Sequence, residues 1–147
     1  MSERLDENKR NELLTVWTTY SRYCEEVTNK RHIINAFFLG IISALVGFII
    51  GMWGVIGLVL SVVGFLITIF WFLYIRSYKK LNSAKFEVLL GIEEQLGINI
   101  YSLEWQKVKE KKYIRLTTVE YSLVVVFILG FIALFVISIL KIKGVML

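Results

Sequence analysis

Hydrophobic residues are concentrated in two long blocks along the chain. No Asp, Glu, Lys or Arg occurs in residues 33–75, and none occurs in residues 121–140. A helix needs about 20 apolar residues to cross a hydrocarbon core, so the first block fits two spans and the second fits one. Trp53 and Gly54 divide the first block and supply a tight turn. The pattern predicts an all-α integral membrane protein with spans at 33–52, 55–75 and 119–140.

Amphipathic segments flank the first block on both sides. In residues 1–32, apolar side chains recur at helical spacing, at Leu13, Trp17, Tyr20, Cys24 and Val27. After the second span a similar stripe continues, formed by Tyr78, Leu81, Lys85, Val88, Ile92 and Leu96. The chain has no proline, so we expect the second span to extend beyond the membrane as one helix that ends at Gly97.

The two stripes are predicted to lie on the same side of the membrane and to pack together. An apolar stripe that faces water is costly, so each needs a partner. We expect the second stripe to contact the first stripe of the same chain or of a neighbouring one. In that contact Leu81, Val88 and Ile92 would meet Leu13, Trp17 and Tyr20.

Basic residues set the expected orientation and the division of the chain. Six of the 17 Lys and Arg residues lie in residues 1–32, nine lie in residues 76–115, and the hairpin turn has none. The positive-inside rule therefore places the N-terminus in the cytoplasm. "TTVE" at residues 117–120 has the spacing of a capping box before the third span. The predicted segments are an amphipathic cytoplasmic N-terminal helix (1–32), a transmembrane hairpin (33–75), a cytoplasmic helical segment (76–118), a third span (119–140) and a short tail (141–147).

Small residues recur along both spans of the hairpin. The positions singled out for helix packing are Gly40, Gly47, Gly51, Gly57, Ser61 and Gly64. In lipid, small side chains let helix backbones approach closely. Two interpretations remain open. The favoured one is that the two spans pack only on each other, and the other is that part of this surface packs on a second subunit.

The composition argues against catalysis and against metal or cofactor binding. The chain has one His and one Cys, too few for a metal site of ordinary ligands, and no phosphate-binding or nucleophile-elbow motif. We expect no enzyme activity, no catalytic residues and no cofactor or metal. The lone cysteine fits a reducing compartment. The basic residues behind the net charge of +5 are expected to contact anionic lipid head groups. We do not expect them to bind nucleic acid, because the sequence has no nucleic-acid-binding motif.

The segment that follows the second span resembles the RipA-like family of small bacterial octameric membrane proteins. The shared pattern is roughly W-x3-I-x-S-Y-x2-L-N-x-A-K-F-x-V, from Trp71 to Val88, followed by an E-x2-L and a later E-W. One departure is Gly97, where the family tends to have proline; both residues end a helix. The resemblance implies a homo-oligomer, specifically an octamer, in the bacterial cytoplasmic membrane.

The resemblance implies no catalytic residues, but it directs attention to the polar positions of this segment. Asn82 and Lys85 are expected to set the register of an assembly, with Glu104 as a partner for Lys85. The residues predicted to contact another subunit or a protein partner are Tyr78, Leu81, Asn82, Lys85, Phe86, Glu93, Glu104 and Trp105. Two functions stay open: a structural or adaptor platform with an unidentified protein partner, and a signal-gated effector that permeabilises the membrane in bacterial defence.

Overall fold

The computed structural model describes residues 2–110 and 115–144 of the chain. The predicted helical segment 76–118 and the predicted tail 141–147 each contain a stretch outside the described residues, 111–114 and 145–147. Within the described ranges all regular structure is helical. The four helices are α1 (Ser2–Gly51), α2 (Val55–Leu96), α3 (Ile100–Glu110) and α4 (Leu116–Ile142). Helices α1, α2 and α4 are each long and apolar enough to cross a membrane, which confirms an all-α architecture with three spans.

Helix α1 joins the amphipathic N-terminal segment to the first span without a break. Its 50 residues extend roughly 75 Å at 1.5 Å per residue, far more than the hydrocarbon core of about 30 Å. A tight turn follows and leads into α2. Gly54 has a φ of +92°, a backbone conformation that residues with a Cβ atom rarely adopt. Its carbonyl oxygen accepts a hydrogen bond from the Leu58 N–H at 3.0 Å. The predicted glycine turn is therefore confirmed.

Helix α2 continues well past the apolar block, as the unbroken helical pattern predicts. It ends in a Schellman motif, in which the N–H groups of Ile98 and Gly97 donate to the carbonyls of Glu93 and Glu94 at 3.1 and 3.2 Å. Gly97 has φ of +67°, the left-handed conformation that this motif requires. Glycine thus ends the helix where a proline would also have done so.

The start of α4 differs from the predicted capping box. The helix begins at Leu116, its N-cap is Arg115, and the cap makes no side-chain hydrogen bond. Thr117 therefore lies inside the helix and not at its cap. Glu120 accepts a hydrogen bond from a side chain of α1, 85 residues away. The capping-box prediction is wrong because the helix begins at Leu116, before Thr117, so Thr117 is not its N-cap.

The described chain forms two compact units. The membrane unit comprises residues 32–77 and 115–144, and the extramembrane unit comprises residues 2–31 and 78–110. Helices α1 and α2 contribute to both. The core of the membrane unit contains six buried side chains: Ile42, Ile49, Trp71, Ile75, Val124 and Phe131. These six come from α1, α2 and α4, so all three spans share one core.

The small residues of the hairpin do not have a common partner. A Cβ added to Gly64 would lie 2.2 Å from Cε1 of Phe131, and one added to Gly57 would lie 3.1 Å from Oγ of Ser138. Phe131 and Ser138 belong to α4, but the nearest atom to a Cβ on Gly57 is the backbone oxygen of Met52 beside the hairpin turn, at 2.8 Å. A Cβ on Gly40, Gly47 or Gly51 would meet nothing within 4 Å. The favoured interpretation, in which the two spans pack only on each other, is therefore wrong, because Gly57 and Gly64 of α2 also let α4 approach. The three glycines of α1 are open in the protomer.

In the extramembrane unit the apolar stripe of α2 has a different register from the predicted one. Leu89, Ile92 and Leu96 are buried, whereas Leu81 and Val88 are 46% and 47% exposed. The inward face thus keeps Ile92 and Leu96 of the predicted stripe but has Leu89 where the prediction had Val88. Leu81 and Val88 do not bury themselves within their own chain, and the part of the prediction that invoked a neighbouring chain remains a prediction.

Candidate functional site

The membrane unit contains a buried polar cluster, which we call the polar layer: Asn35, Trp71 and Glu120. Each residue comes from a different helix, α1, α2 and α4 in turn. Trp71 Nε1–H donates to Oδ1 of Asn35 at 2.9 Å, and Nδ2–H of Asn35 donates to Oε1 of Glu120 at 2.5 Å. All three side chains are buried. They lie where the apolar blocks of the sequence begin or end, so they mark one end of the spans.

The amide of Asn35 is chemically suited to the position between Trp71 and Glu120. The indole of Trp71 only donates, and an ionised carboxylate only accepts. An amide does both, so it bridges a pure donor and a pure acceptor. Polar side chains that hydrogen-bond across helices also add to the association of helices in lipid. The polar layer therefore fixes the register of α1, α2 and α4 at one level.

Aromatic rings surround the indole of Trp71 within the membrane unit. The ring of Phe38 stacks on it with centroids 6.1 Å apart, and the ring of Phe127 lies 6.3 Å away at a tilt. Trp71 is fully buried. These contacts shield the hydrogen bond to Asn35 from lipid and from water, which strengthens it.

The extramembrane unit has its own cluster, centred on Tyr101 of α3. The hydroxyl groups of Tyr101 and Ser21 share a hydrogen bond of 2.6 Å, which joins α3 to α1. The Tyr101 ring lies 6.1 Å from the Trp17 ring and 5.8 Å from the Phe86 ring, centroid to centroid. Its backbone N–H donates to both carboxylate oxygens of Glu93, at 3.2 and 3.3 Å.

Glu93 is the buried acid of this cluster, and it lies against the N-terminus of α3. A carboxylate stabilises a helix start because it accepts from free backbone N–H groups and complements the helix dipole. Glu93 is 2% exposed. The structure thus uses this predicted contact residue inside the protomer, as a cap for the next helix along the chain.

Lys85 contacts an aromatic ring and not the predicted acid. Its Nζ lies 5.8 Å from the centre of the Tyr23 ring, a cation–π distance. Glu104 is exposed, and within the described part of the chain the predicted Lys85–Glu104 pair does not form. Lys85 also influences the one thiol: burial raises the pKa of Cys24 above its ordinary value, and the charge of Lys85 offsets part of that rise.

The predicted contact residues therefore divide into two groups. Glu93 is buried, and Tyr78, Asn82, Lys85 and Phe86 are half-buried within the extramembrane unit, whereas Leu81, Glu104 and Trp105 are exposed. Asn82 Oδ1 is buried and has no hydrogen-bond partner among the described residues. Sequence reasoning missed Asn35, Glu120 and Tyr101 as site residues. A lone Asn at the edge of an apolar block was the available signal for the first of these.

No group of three or more His, Cys, Asp or Glu side chains in the described residues is placed to hold a metal ion. The buried acids instead accept hydrogen bonds from protein groups. The hydrogen bonds of the polar layer join α1, α2 and α4, and those of the Tyr101 cluster join α3 to α1 and α2.

Comparison with known proteins gives one informative match. The family model described as the Octameric membrane protein family matches residues 14–140, which is most of the chain and includes all four helices at least in part. No curated protein and no solved structure matches the chain. The match confirms the resemblance to small octameric membrane proteins that the α2 segment indicated.

Proposed function

Because the chain belongs to the Octameric membrane protein family, we propose that it is a non-enzymatic scaffold of the membrane. In this proposal the homo-octamer lies in the bacterial cytoplasmic membrane and acts as a structural or adaptor platform. The extramembrane unit supplies the surface of the platform, and the three spans anchor it. Lipid head groups contact the basic residues that flank the spans.

The observation that carries this proposal is the use made of the two buried acids of the described chain. Glu93 caps α3, and Glu120 accepts from Asn35. Ionisable groups that move ions or protons face a path through the membrane, and catalytic acids face a substrate. Here both acids hold protein donors. Such a use favours a static scaffold over a carrier or an enzyme.

A test of the scaffold is whether the octamer leaves a bilayer sealed. We expect vesicles that contain the full-length protein to release an encapsulated fluorescent dye no faster than protein-free vesicles. The same result is expected after addition of cyclic nucleotides or of a small-molecule extract from phage-infected bacteria. Release above the protein-free rate under any of these conditions would favour the alternative, a gated membrane effector, and overturn the scaffold.

The adaptor part of the proposal has a separate readout. A photo-crosslinking amino acid in place of Trp105, which is 48% exposed on α3, is expected to attach to a discrete protein other than the chain itself in intact cells. The same probe in place of Leu89, which is fully buried, should not. Adducts to lipid alone at Trp105 would leave a structural role and exclude an adaptor.

The proposed orientation is tested by thiol labelling from outside intact cells. In a Cys24→Ala background, we expect a membrane-impermeant maleimide to label Val55→Cys beside the turn and to spare Gln106→Cys on α3. Both positions are exposed in the protomer, so protection reflects the membrane and not burial. Labelling of Gln106→Cys with protection of Val55→Cys would invert the assignment made from the 15 basic residues in residues 1–32 and 76–115.

A further inference from the structure

One face of α2 in the extramembrane unit is apolar and uncovered. We call this face the outer seam: Leu81, Ala84, Val88 and Gly91. Leu81 and Val88 are 46% and 47% exposed, and Ala84 is exposed as well. A Cβ added to Gly91 would meet nothing within 4 Å. The opposite side of the same helix segment packs within the protomer through Leu89, Glu93 and Leu96.

The outer seam has the spacing of a helix-packing face. Its members follow one another at intervals of three, four and three residues. The two large residues, Leu81 and Val88, are seven residues apart, and so are the two small ones, Ala84 and Gly91. Apolar residues at alternating intervals of three and four mark the contact line of helices that pack side by side. Small residues on the same line let a second helix approach closely.

Lipid does not account for this exposure. Side chains of the spans are exposed in the protomer because they face hydrocarbon, but α2 has already crossed the core by Ile75. Val88 comes 13 residues later in the sequence, more than three helical turns past the end of the apolar block. Charged residues, Lys80, Lys85 and Glu87, flank the seam on the helix. An apolar face at that level is costly in water and needs a protein partner.

We propose that the outer seam is a subunit contact of the octamer and that it packs against a second copy of this chain. The chain belongs to an octameric family, so each protomer has other copies beside it in fixed stoichiometry. This proposal rests on the proposed scaffold function, which assumes an assembled octamer, and adds to it a surface through which the subunits make contact. It also accounts for Leu81 and Val88, which are exposed in the protomer and would be covered by the neighbouring subunit.

The first experiment compares two charge-matched double variants by native mass spectrometry of the full-length protein in detergent. Leu81→Glu with Val88→Glu places two acids on the seam. Ser83→Glu with Leu90→Glu places two acids on exposed positions nearly opposite the seam on the same helix. We expect the octamer fraction to fall about tenfold or more for the first pair and to change less than about twofold for the second. An intact octamer in the seam pair, or equal losses in both pairs, would overturn the proposal.

A second experiment keeps the seam apolar and the protein folded. A photo-crosslinking amino acid in place of Val88 is expected to give a product of twice the protomer mass whose attached peptide is from this chain. The same probe in place of Ser83 serves as the control and is expected to give little of that product. Adducts only to lipid or to a different protein would show that another occupant covers the seam and would overturn the proposal.

The two proposals fail in different measurements. Dye release from vesicles overturns the scaffold whatever the seam does. If the Leu81→Glu, Val88→Glu protein still forms the octamer, the proposed subunit contact is overturned. Vesicles that retain their dye would support the scaffold in that case as well.

Discussion

Gly64→Ala is expected to lower the free energy of unfolding of the protein by about 1 to 3 kcal/mol, a cost typical of overpacking a buried contact. The added Cβ would lie 2.2 Å from Cε1 and 2.3 Å from Cζ of Phe131. The ring is 1% exposed, so it has little room to move away. Gly64→Leu should be more damaging still. Unfolding in mild detergent with increasing SDS measures the loss.

Gly40→Ala and Gly130→Ala are the matched controls for that substitution. Both add the same methyl group to a helix in the membrane unit, and in both the new Cβ meets nothing within 4 Å of the protomer. Alanine also favours a helix more than glycine does, so unfolding should be unchanged or slightly harder. A Gly64→Ala protein as stable as these two would show that α4 does not rest on the Gly64 surface.

Asn35→Ala is expected to cost about 2 to 4 kcal/mol, because one truncation removes two buried hydrogen bonds. The Trp71 Nε1–H loses its acceptor, and Glu120 loses its Asn35 donor. A buried polar group left without a partner costs about 1 to 3 kcal/mol, and cross-helix hydrogen bonds in membranes lie at the lower end of such values. The same SDS titration measures the effect.

A double-mutant cycle separates the hydrogen bond from the packing. Trp71→Phe removes the N–H but keeps a ring against Phe38 and Phe127, and it should cost about 1 kcal/mol. Combined with Asn35→Ala it should add little, since the shared bond is already lost. Asn82→Ala is the control, because Oδ1 of Asn82 has no partner in the described part of the chain. Additive costs for Asn35 and Trp71 would argue that their contact contributes nothing.

The three spans, the hairpin turn and the end of α2 could be predicted from local sequence patterns. The apolar blocks predict the spans because a bilayer demands about 20 apolar residues in a row. The turn at Gly54 and the stop at Gly97 follow from conformations that glycine adopts most easily, and the structure has positive φ at both. The continuation of α2 beyond the membrane follows from the lack of any proline or glycine break between Ile75 and Val88. These features depend on neighbours within a few residues.

Periodicity was less informative about which face of a helix turns inward. The stripe from Tyr78 to Leu96 was correctly recognised as amphipathic, but Leu81 and Val88 lie on the exposed side and Leu89 on the buried side. A stripe about 100° wide leaves the boundary between neighbouring faces undefined. The difference matters here, because the seam that remains outside the protomer is the one proposed to join subunits.

The polar layer and the Tyr101 cluster depend on residues that are distant in the chain. Asn35 meets Glu120 across 85 positions and Trp71 across 36, and Ser21 meets Tyr101 across 80. A local reading assigned Glu120 to a capping box, because the four residues around it satisfy that motif. Local patterns thus located the hairpin turn and the end of α2, because backbone conformation there depends on near neighbours, but they misplaced the start of α4. The hydrogen-bond partner of each buried polar group is decided by how the helices pack, because a hydrogen bond forms only between groups that the folded chain brings within about 3 Å.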